Sequence, residues 1–347
     1  MGAVIKINGL KYDFFSDLAI TLNHANIAST FSFSALFDPD VPALVELFKP
    51  FSYKECVIET DSGQRILTGV ILSHRFNTDK TPRLTTFSGY AKTGVLADCP
   101  IPETKYPLER TNLSLTEIAT DLCEAFGINV VTSVDAKAAA ETFSKVVAEP
   151  TETVSKFLNG LAAQKNLVIN HDNQSNLFIE LISTFSNPIA FFDDGEPDVQ
   201  IGLDSDGQAL HSKITVMKQA SIGTDNAAQQ TAVNPFASAA FRPMVKVQTS
   251  GTDNNTEDAA KNSVLSEMRN ALKINISTDR WTWVNDEPEL IIPNRIIKVL
   301  SPSSYIFKPT KFFVDSVTLR SDEKSETAEL TCVVPEIFQG GALKNIF

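Results

Sequence analysis

Long apolar runs are missing. No uninterrupted apolar stretch in the 347 residues approaches the ~18 that a membrane-crossing helix needs. Met1–Lys6 lacks the basic start and apolar core of a secretory leader, and Lys6 occupies the place where a myristoylation signal wants Ser or Thr. The expectation is a chain that starts in a cytosol and stays soluble. Cysteine is scarce and unpaired in spacing: Cys56, Cys99, Cys123 and Cys332 contain no Cys-x-x-Cys, which excludes a disulfide framework and predicts buried, reduced thiols. The Asn-x-Ser/Thr triplets at Asn112, Asn254 and Asn275 carry no meaning without secretion. Positive charge is also short. Thirty Lys+Arg against 42 Asp+Glu leave −12, which disfavours general affinity for nucleic acid or anionic lipid, since that affinity comes from clustered Lys and Arg.

Catalytic motifs are absent as well. His24, His74, His171 and His211 show no His-Glu-x-x-His spacing, so no zinc site is expected. No nucleophile elbow, phosphate loop or dinucleotide fingerprint follows a strand pattern. Asp193-Asp194-Gly195-Glu196 and Asp204-Ser205-Asp206-Gly207 invite a calcium reading. In the second run, however, Gly207 falls at position 4 of the twelve-residue loop rather than 6, and Thr215 replaces the final Glu. Plain turns are expected. Trp281 and Trp283 stand two apart on a predicted strand, as a carbohydrate platform or as packing residues. No catalytic, cofactor or metal residue is assigned.

Apolar material is plentiful: 43% of residues are hydrophobic, with 23 Phe among them, and the length is two to three times the common domain size of ~100–150 residues. At least two cores follow. From Met1 to about Lys105 the pattern has period two. Phe31-Ser32-Phe33-Ser34-Ala35-Leu36 sets aromatics on one face and serines on the other, and Glu55–Thr60 and Gln64–Ser73 flank a hairpin turn with Gly63. Arg83–Tyr90 reads as another strand and Pro42–Phe48 as a short helix. Closure into a small barrel would hide the strand edges.

After Pro100, Pro102 and Pro107 the texture becomes helical. Ser114-Leu115-Thr116-Glu117 is a capping box opening a helix that Gly127 stops. A second helix is predicted after Pro150 with Thr151 as cap, and Leu167–Asn170 and Leu177–Ile182 are strands. Beyond Pro188 strands return: Lys213–Lys218, Met244–Thr249, Arg280–Val284, Arg295–Leu300, Phe312–Arg320 and Thr327–Pro335. They are interrupted by a mobile Ser221–Arg242 loop and a helix from Thr256 to about Leu272. The predicted fold is mainly β (α+β overall). A first antiparallel β-barrel spans 1–104, a small α/β module 105–187, and a second barrel 188–338 with a loop and helix inserted at about 221–272. A tail, 339–347, carries Leu343, Ile346 and Phe347, apolar residues that need a partner.

The order of segments is similar to that of a known family. Ile66-Leu67-Thr68-Gly69-Val70-Ile71, then Thr86-Phe87-Ser88-Gly89-Tyr90-Ala91-Lys92-Thr93 and Leu96-Ala97-Asp98-Cys99, carry the likeness in the first half. Arg242-Pro243, the helix with Arg269, Trp281, Pro293-Asn294 before Arg295–Val299, and Pro335-Glu336-Ile337-Phe338 follow in the same order. Together they resemble the baseplate hub (tail) proteins of contractile-tailed phages, the group of phage Mu tail protein P and late control protein D. Two stretches depart from the pattern: Ser301–Lys311 replaces a simpler turn, and Ser221–Arg242 does not align.

The resemblance implies a structural, non-enzymatic homotrimer in the virion, made in the host cytoplasm, with no cofactor. Two related barrels per subunit would alternate around a channel, offering six positions to the tail tube and a threefold seat to the central spike, beside other baseplate proteins. DNA would only pass through, without specific binding or membrane insertion, and the tail residues would dock on the spike or a neighbour. The competing readings are a tail-associated cell-wall or polysaccharide hydrolase, which needs a carboxylate pair in a groove lined by Trp281 or Trp283, and a carbohydrate-binding β-module.

Overall fold

A computed structural model describes the chain except for residues 1, 13, 25, 77–83, 183–185, 219–228, 249–255, 284–288, 323–324, 340–342 and 344–345. It is a mixed α/β fold dominated by antiparallel pairing. The chain divides into two units. The first comprises Met1–Ile182 and Val317–Ala328, the second Ser183–Ser316 and Glu329–Phe347. Among the described residues no helix is long and apolar enough to cross a membrane.

Unit 1 begins with β1 (Ala3–Ile7), β2 (Leu10–Tyr12), β3 (Phe15–Asn23), β4 (Thr30–Leu36), helix α1 (Pro42–Leu47), β5 (Glu55–Thr60), β6 (Arg65–Phe76) and β7 (Leu84–Ala91). These strands pair in the order β3-β4-β7-β6-β5-β1-β2, every pair antiparallel. Alternation decides the faces: Phe31, Phe33 and Ala35 of β4 are buried while Ser32 and Ser34 stay half-buried. The inner face is an aromatic stack, with Phe87 5.3 Å from Phe33 and 4.3 Å from Phe48, and Tyr12 edge-on to Phe48 at 5.2 Å. Gly63 supplies the positive φ (83°) of the β5–β6 turn.

The expected barrel closure is not among the pairings of the described residues. The path stays open. One end is β2, only three residues long, which limits its exposed edge by brevity. The other, β3, is covered by returning chain, Thr318 meeting Thr21 hydroxyl to hydroxyl at 3.3 Å.

The rest of unit 1 is the small helical module: α2 (Val95–Asp98), β8 (Glu109–Ser114), α3 (Leu115–Glu124), β9 (Val130–Thr132), β10 (Thr142–Val147), α4 (Val154–Gln164), β11 (Leu167–His171) and β12 (Leu177–Leu181). The capping box forms as its spacing predicts. The Glu117 amide donates to Ser114 Oγ at 3.3 Å and the Ser114 amide to Glu117 Oε2 at 2.8 Å. Leu115, Ile118, Ala119 and Leu122 then face Leu158, Leu161, Ile169 and Ile179 in one core. The cap of α4 is Thr153, not Thr151, because Thr153 Oγ1 lies 3.3 Å from the Lys156 amide, third in the helix.

Unit 2 holds β13 (Ala190–Asp193), β14 (Val199–Ser205), β15 (Lys213–Lys218), β16 (Gln229–Val233), β17 (Pro243–Gln248), α5 (Thr256–Ala271), β18 (Leu272–Thr278) and β19 (Ile296–Ser301), with parts of β20 (Ile306–Ser321) and β21 (Glu326–Val333), then α6 (Glu336–Gln339). β14, β18, β21 and β20 are successive neighbours, β19 lies antiparallel to β20, and β13 runs parallel to β19. No closed second barrel is found among the described residues. A separate sheet, β16-β15-β17, packs Ile214 and Val216 against Ala260 and Val264 of α5.

Two expectations fail here. Within Ser221–Arg242, Gln229–Val233 is a strand antiparallel to β15 rather than loop. Residues 221–228 of that stretch lie outside the described residues. In Arg280–Val284 no strand forms; Thr282 makes a single bridge to Leu290, and Val284 lies outside the described residues.

Candidate functional site

The acidic runs have structural partners. Asp193 accepts from the Gly195 amide at 2.8 Å, and Asp194 from Ser301 Oγ at 3.0 Å and from the hydroxyl and amide of Ser303. The Ser303 hydroxyl chiefly holds the Asp194 carboxyl below its ordinary range. Glu196 and Asp198 grip Arg280 at 3.0 and 2.9 Å. Asp206 Oδ1 accepts from the Gln208 amide at 2.8 Å, and Asp204 accepts from Asn275 Nδ2 at 2.6 Å. These are turns and side-chain ties. Among the described residues no three His, Cys, Asp or Glu gather as metal ligands.

Cys56, Cys123 and Cys332 are buried, and burial pushes the Cys123 thiol up to about 12 and the other two higher still. Cys99 is half-buried. Trp281 and Trp283 are 1% and 2% exposed, so neither offers a platform or lines a groove.

The motif residues that carry the family likeness are structural too, and this explains their identities. A Cβ on Gly69 would lie 2.5 Å from Tyr90 O and 2.7 Å from Phe31 Cε1, and one on Gly89 2.8 Å from Phe31 Cζ. Both glycines are required where the Phe31 ring lies across β6 and β7. Tyr90 donates its hydroxyl to Asp98 at 2.7 Å. Arg269 holds Asp315 through two nitrogens, at 2.6 and 3.3 Å, and lies over the Phe338 ring at 5.4 Å. Asn294 takes φ 60° at a buried position, and its amide donates to Val314 O at 3.0 Å.

What remains is surface. In unit 1 a groove of about 530 Å³ is lined by Tyr53, Tyr90, Val95, Phe126, Asn129 and Ser175, among others. In unit 2 the three tail residues are seated differently. Leu343 packs half-buried on the small core of Ile214, Val216, Ala260 and Val264. Ile346 is half-buried. Phe347 is 48% exposed, and its ring meets Phe236 at 6.2 Å and Tyr305 at 5.8 Å. Tyr305 in turn meets Phe307 at 5.1 Å. The sequence reading did not single out Phe236, Tyr305 or Phe307, because their convergence depends on tertiary structure.

Comparison with known proteins supplies the context. The family described as "Baseplate hub protein gp44-like, second domain" matches residues 93–180. The baseplate hub protein gp44 of Escherichia phage Mu is 23% identical over 327 residues, covering 91% of this chain and 83% of the Mu protein. Two solved structures share the fold. One is the 43 kDa tail protein of prophage MuSo2 from Shewanella oneidensis (TM-score 0.80, 19% identity, 97% of this chain and 100% of that one). The other is the tail protein from Neisseria meningitidis MC58 (TM-score 0.76, 18% identity, 98% and 99%).

Proposed function

We propose that this chain, which is similar to the baseplate hub protein gp44 of phage Mu over 91% of its length, is a structural hub subunit of a contractile-tail baseplate. Three copies form a ring. Each copy contributes two strand-built units, so that six near-equivalent positions face the tail tube while the threefold face seats the central spike. In this reading 1–104 and 188–338 act as the barrel-like tube positions and 105–187 as the module between them. The protein resides in the virion and catalyses no reaction. DNA passes through the ring, and a net charge of −12 limits adhesion of phosphate to its wall.

The observation that carries this reading is the presence in one chain of two units built on antiparallel strands, in a sequence aligned with a hub protein over 91% of its length. Three such chains related by a closed rotation make six positions without a second gene product. Electron microscopy of the purified protein, alone and co-expressed with its spike, tests it. A channelled ring with threefold symmetry and six similar lobes is expected. A monomer under both conditions, or a ring of another order, overturns it.

A further inference from the structure

The β19–β20 hairpin carries cations that make no ion pair among the described residues. From Leu290 to Val314 the sequence contains Arg295, Lys298, Lys308 and Lys311 and no Asp or Glu, within a chain of net charge −12. Lys298 and Lys311 are direct cross-strand partners, and both are exposed. Like charges facing across a ladder repel and destabilise it. Lys298, Lys308 and Lys311 make no ion pair among the described residues, and the acids of the adjoining turn, Asp193 and Asp194, accept from Gly195, Ser301 and Ser303.

Aromatic surface adjoins these cations. Phe191, 47% exposed, pairs with Lys298 from the strand on its other side. Val299 pairs with Thr310 but Ser301 with Ile306, so the register slips and Phe307, Lys308 and Pro309 bulge opposite Leu300 alone. Phe307 and Tyr305 are 61% and 60% exposed. This bulge falls within Ser301–Lys311, the stretch that departs from the family pattern.

A cationic, aromatic patch on an acidic protein favours a protein partner over nucleic acid. Three or four cations are few against a polyphosphate when the remaining charge repels it, whereas aromatics with flanking charge are typical of interface surfaces. The complement is on the same chain, in residues 36–53 of unit 1. Helix α1 buries none of its residues. Val41, Val45, Phe51 and Tyr53 are exposed around it. Asp38, Asp40 and Glu46 are exposed as well; Lys49 is also exposed, and Lys54 lies 3.5 Å from Glu46.

We propose that the Lys298–Lys311 end of the hairpin docks on the acidic, apolar 36–53 segment of a second copy. The patches differ, so the contact is heterologous, the kind that propagates round a ring until it closes. This inference rests on the ring reading above and names the surfaces that close it.

The test uses the full chain, with mass measured by light scattering and sedimentation velocity. Wild type assembles at low ionic strength and loosens as salt screens the contact. The triple variant Lys298→Glu, Lys308→Glu, Lys311→Glu weakens assembly at least about tenfold, and Asp38→Lys with Asp40→Lys does the same. Combining both sets restores assembly, a rescue that misfolding cannot produce. If wild type forms rings that neither set disturbs, the docking is wrong while the ring reading stands. If wild type stays a single copy with and without the spike, both fall. If the triple variant loses only affinity for a DNA duplex and assembles normally, the patch is a nucleic-acid contact and the proposal is overturned.

Discussion

Replacing Gly89 by alanine tests whether the strand motifs carry glycine because the Val70 carbonyl and the Phe31 ring leave no room for a side chain. A Cβ there would sit 2.8 Å from Phe31 Cζ and 2.9 Å from the Val70 carbonyl carbon, and closer still to the Val70 oxygen. Carbon atoms prefer separations of about 3.5–4.0 Å. Phe31 is 2% exposed and stacked on Phe33, so its ring has nowhere to swing. The strands β6 and β7 must instead part locally. Overpacking costs about 1–3 kcal/mol, and a weakened ladder hydrogen bond adds about 1 kcal/mol, for about 2–4 kcal/mol together. With a urea slope of about 2 kcal/mol per molar, the unfolding midpoint of unit 1 falls by about 1–2 M. Far-UV circular dichroism follows it, while both tryptophans report unit 2. Gly202→Ala is the control: its nearest heavy atom would lie 4.0 Å away, so the change stays within about 0.5 kcal/mol. A Gly89→Ala midpoint equal to that of Gly202→Ala refutes the steric account.

Three further outcomes are expected. Ser114→Ala removes the α3 cap and lowers unit 1 stability by about 1 kcal/mol, read from the same denaturation curves. Burial depresses the pKa of His171, whose Nδ1–H donates to Asp172 O at 2.9 Å. The folded state therefore favours the neutral ring. Its contribution is complete above the unfolded value of about 6.5 and is lost as pH falls toward the depressed folded value, by at most about 1.4 kcal/mol per pH unit; His171→Gln should flatten unit 1 stability between pH 7 and 5.5, and an unchanged slope contradicts it. In the tail, Ile346→Ser with Phe347→Ser should abolish binding to the spike or a neighbouring subunit while unit 2 stays folded, its stability lowered only by the loss of a half-buried Ile346 and of the Phe347 contacts with Phe236 and Tyr305. Leu343→Ala, which trims a half-buried contact, should cost about 1–2 kcal/mol by tryptophan fluorescence; retained binding in the double variant refutes the docking role.

Features decided by neighbours in sequence were legible without coordinates. The Ser114–Glu117 capping box, the Gly63 turn, the Phe31/Phe33 face and the starts of β11 and β12 all follow from spacing within a few residues. Features decided by distant partners were not. Gln229–Val233 has no apolar alternation of its own and is a strand because β15 offers it hydrogen bonds. Trp281-Thr282-Trp283 alternates like a strand, yet its pairing is a single bridge, with the Trp283 amide donating to Glu289 O at 2.9 Å and the Ile291 amide to Trp281 O at 2.7 Å, and both rings are buried. Barrel closure depends on edges meeting, which periodicity cannot report. At the candidate surfaces, the tail residues were legible as apolar, but Leu343 has a seat inside unit 2 that only the fold reveals. The opposition of Lys298 and Lys311 is a matter of register between strands, invisible in a list of charges.

Because unit 1 is completed by Val317–Ala328, its last strand leaves the ribosome roughly 135 residues after Ile182. At about 5–20 residues per second that is a wait of roughly 7–27 s, during which one side of β3 lacks its eventual neighbour. Newly made chains are thus at their most vulnerable to clumping before translation ends, and no single proteolytic nick between the units can release an intact first one.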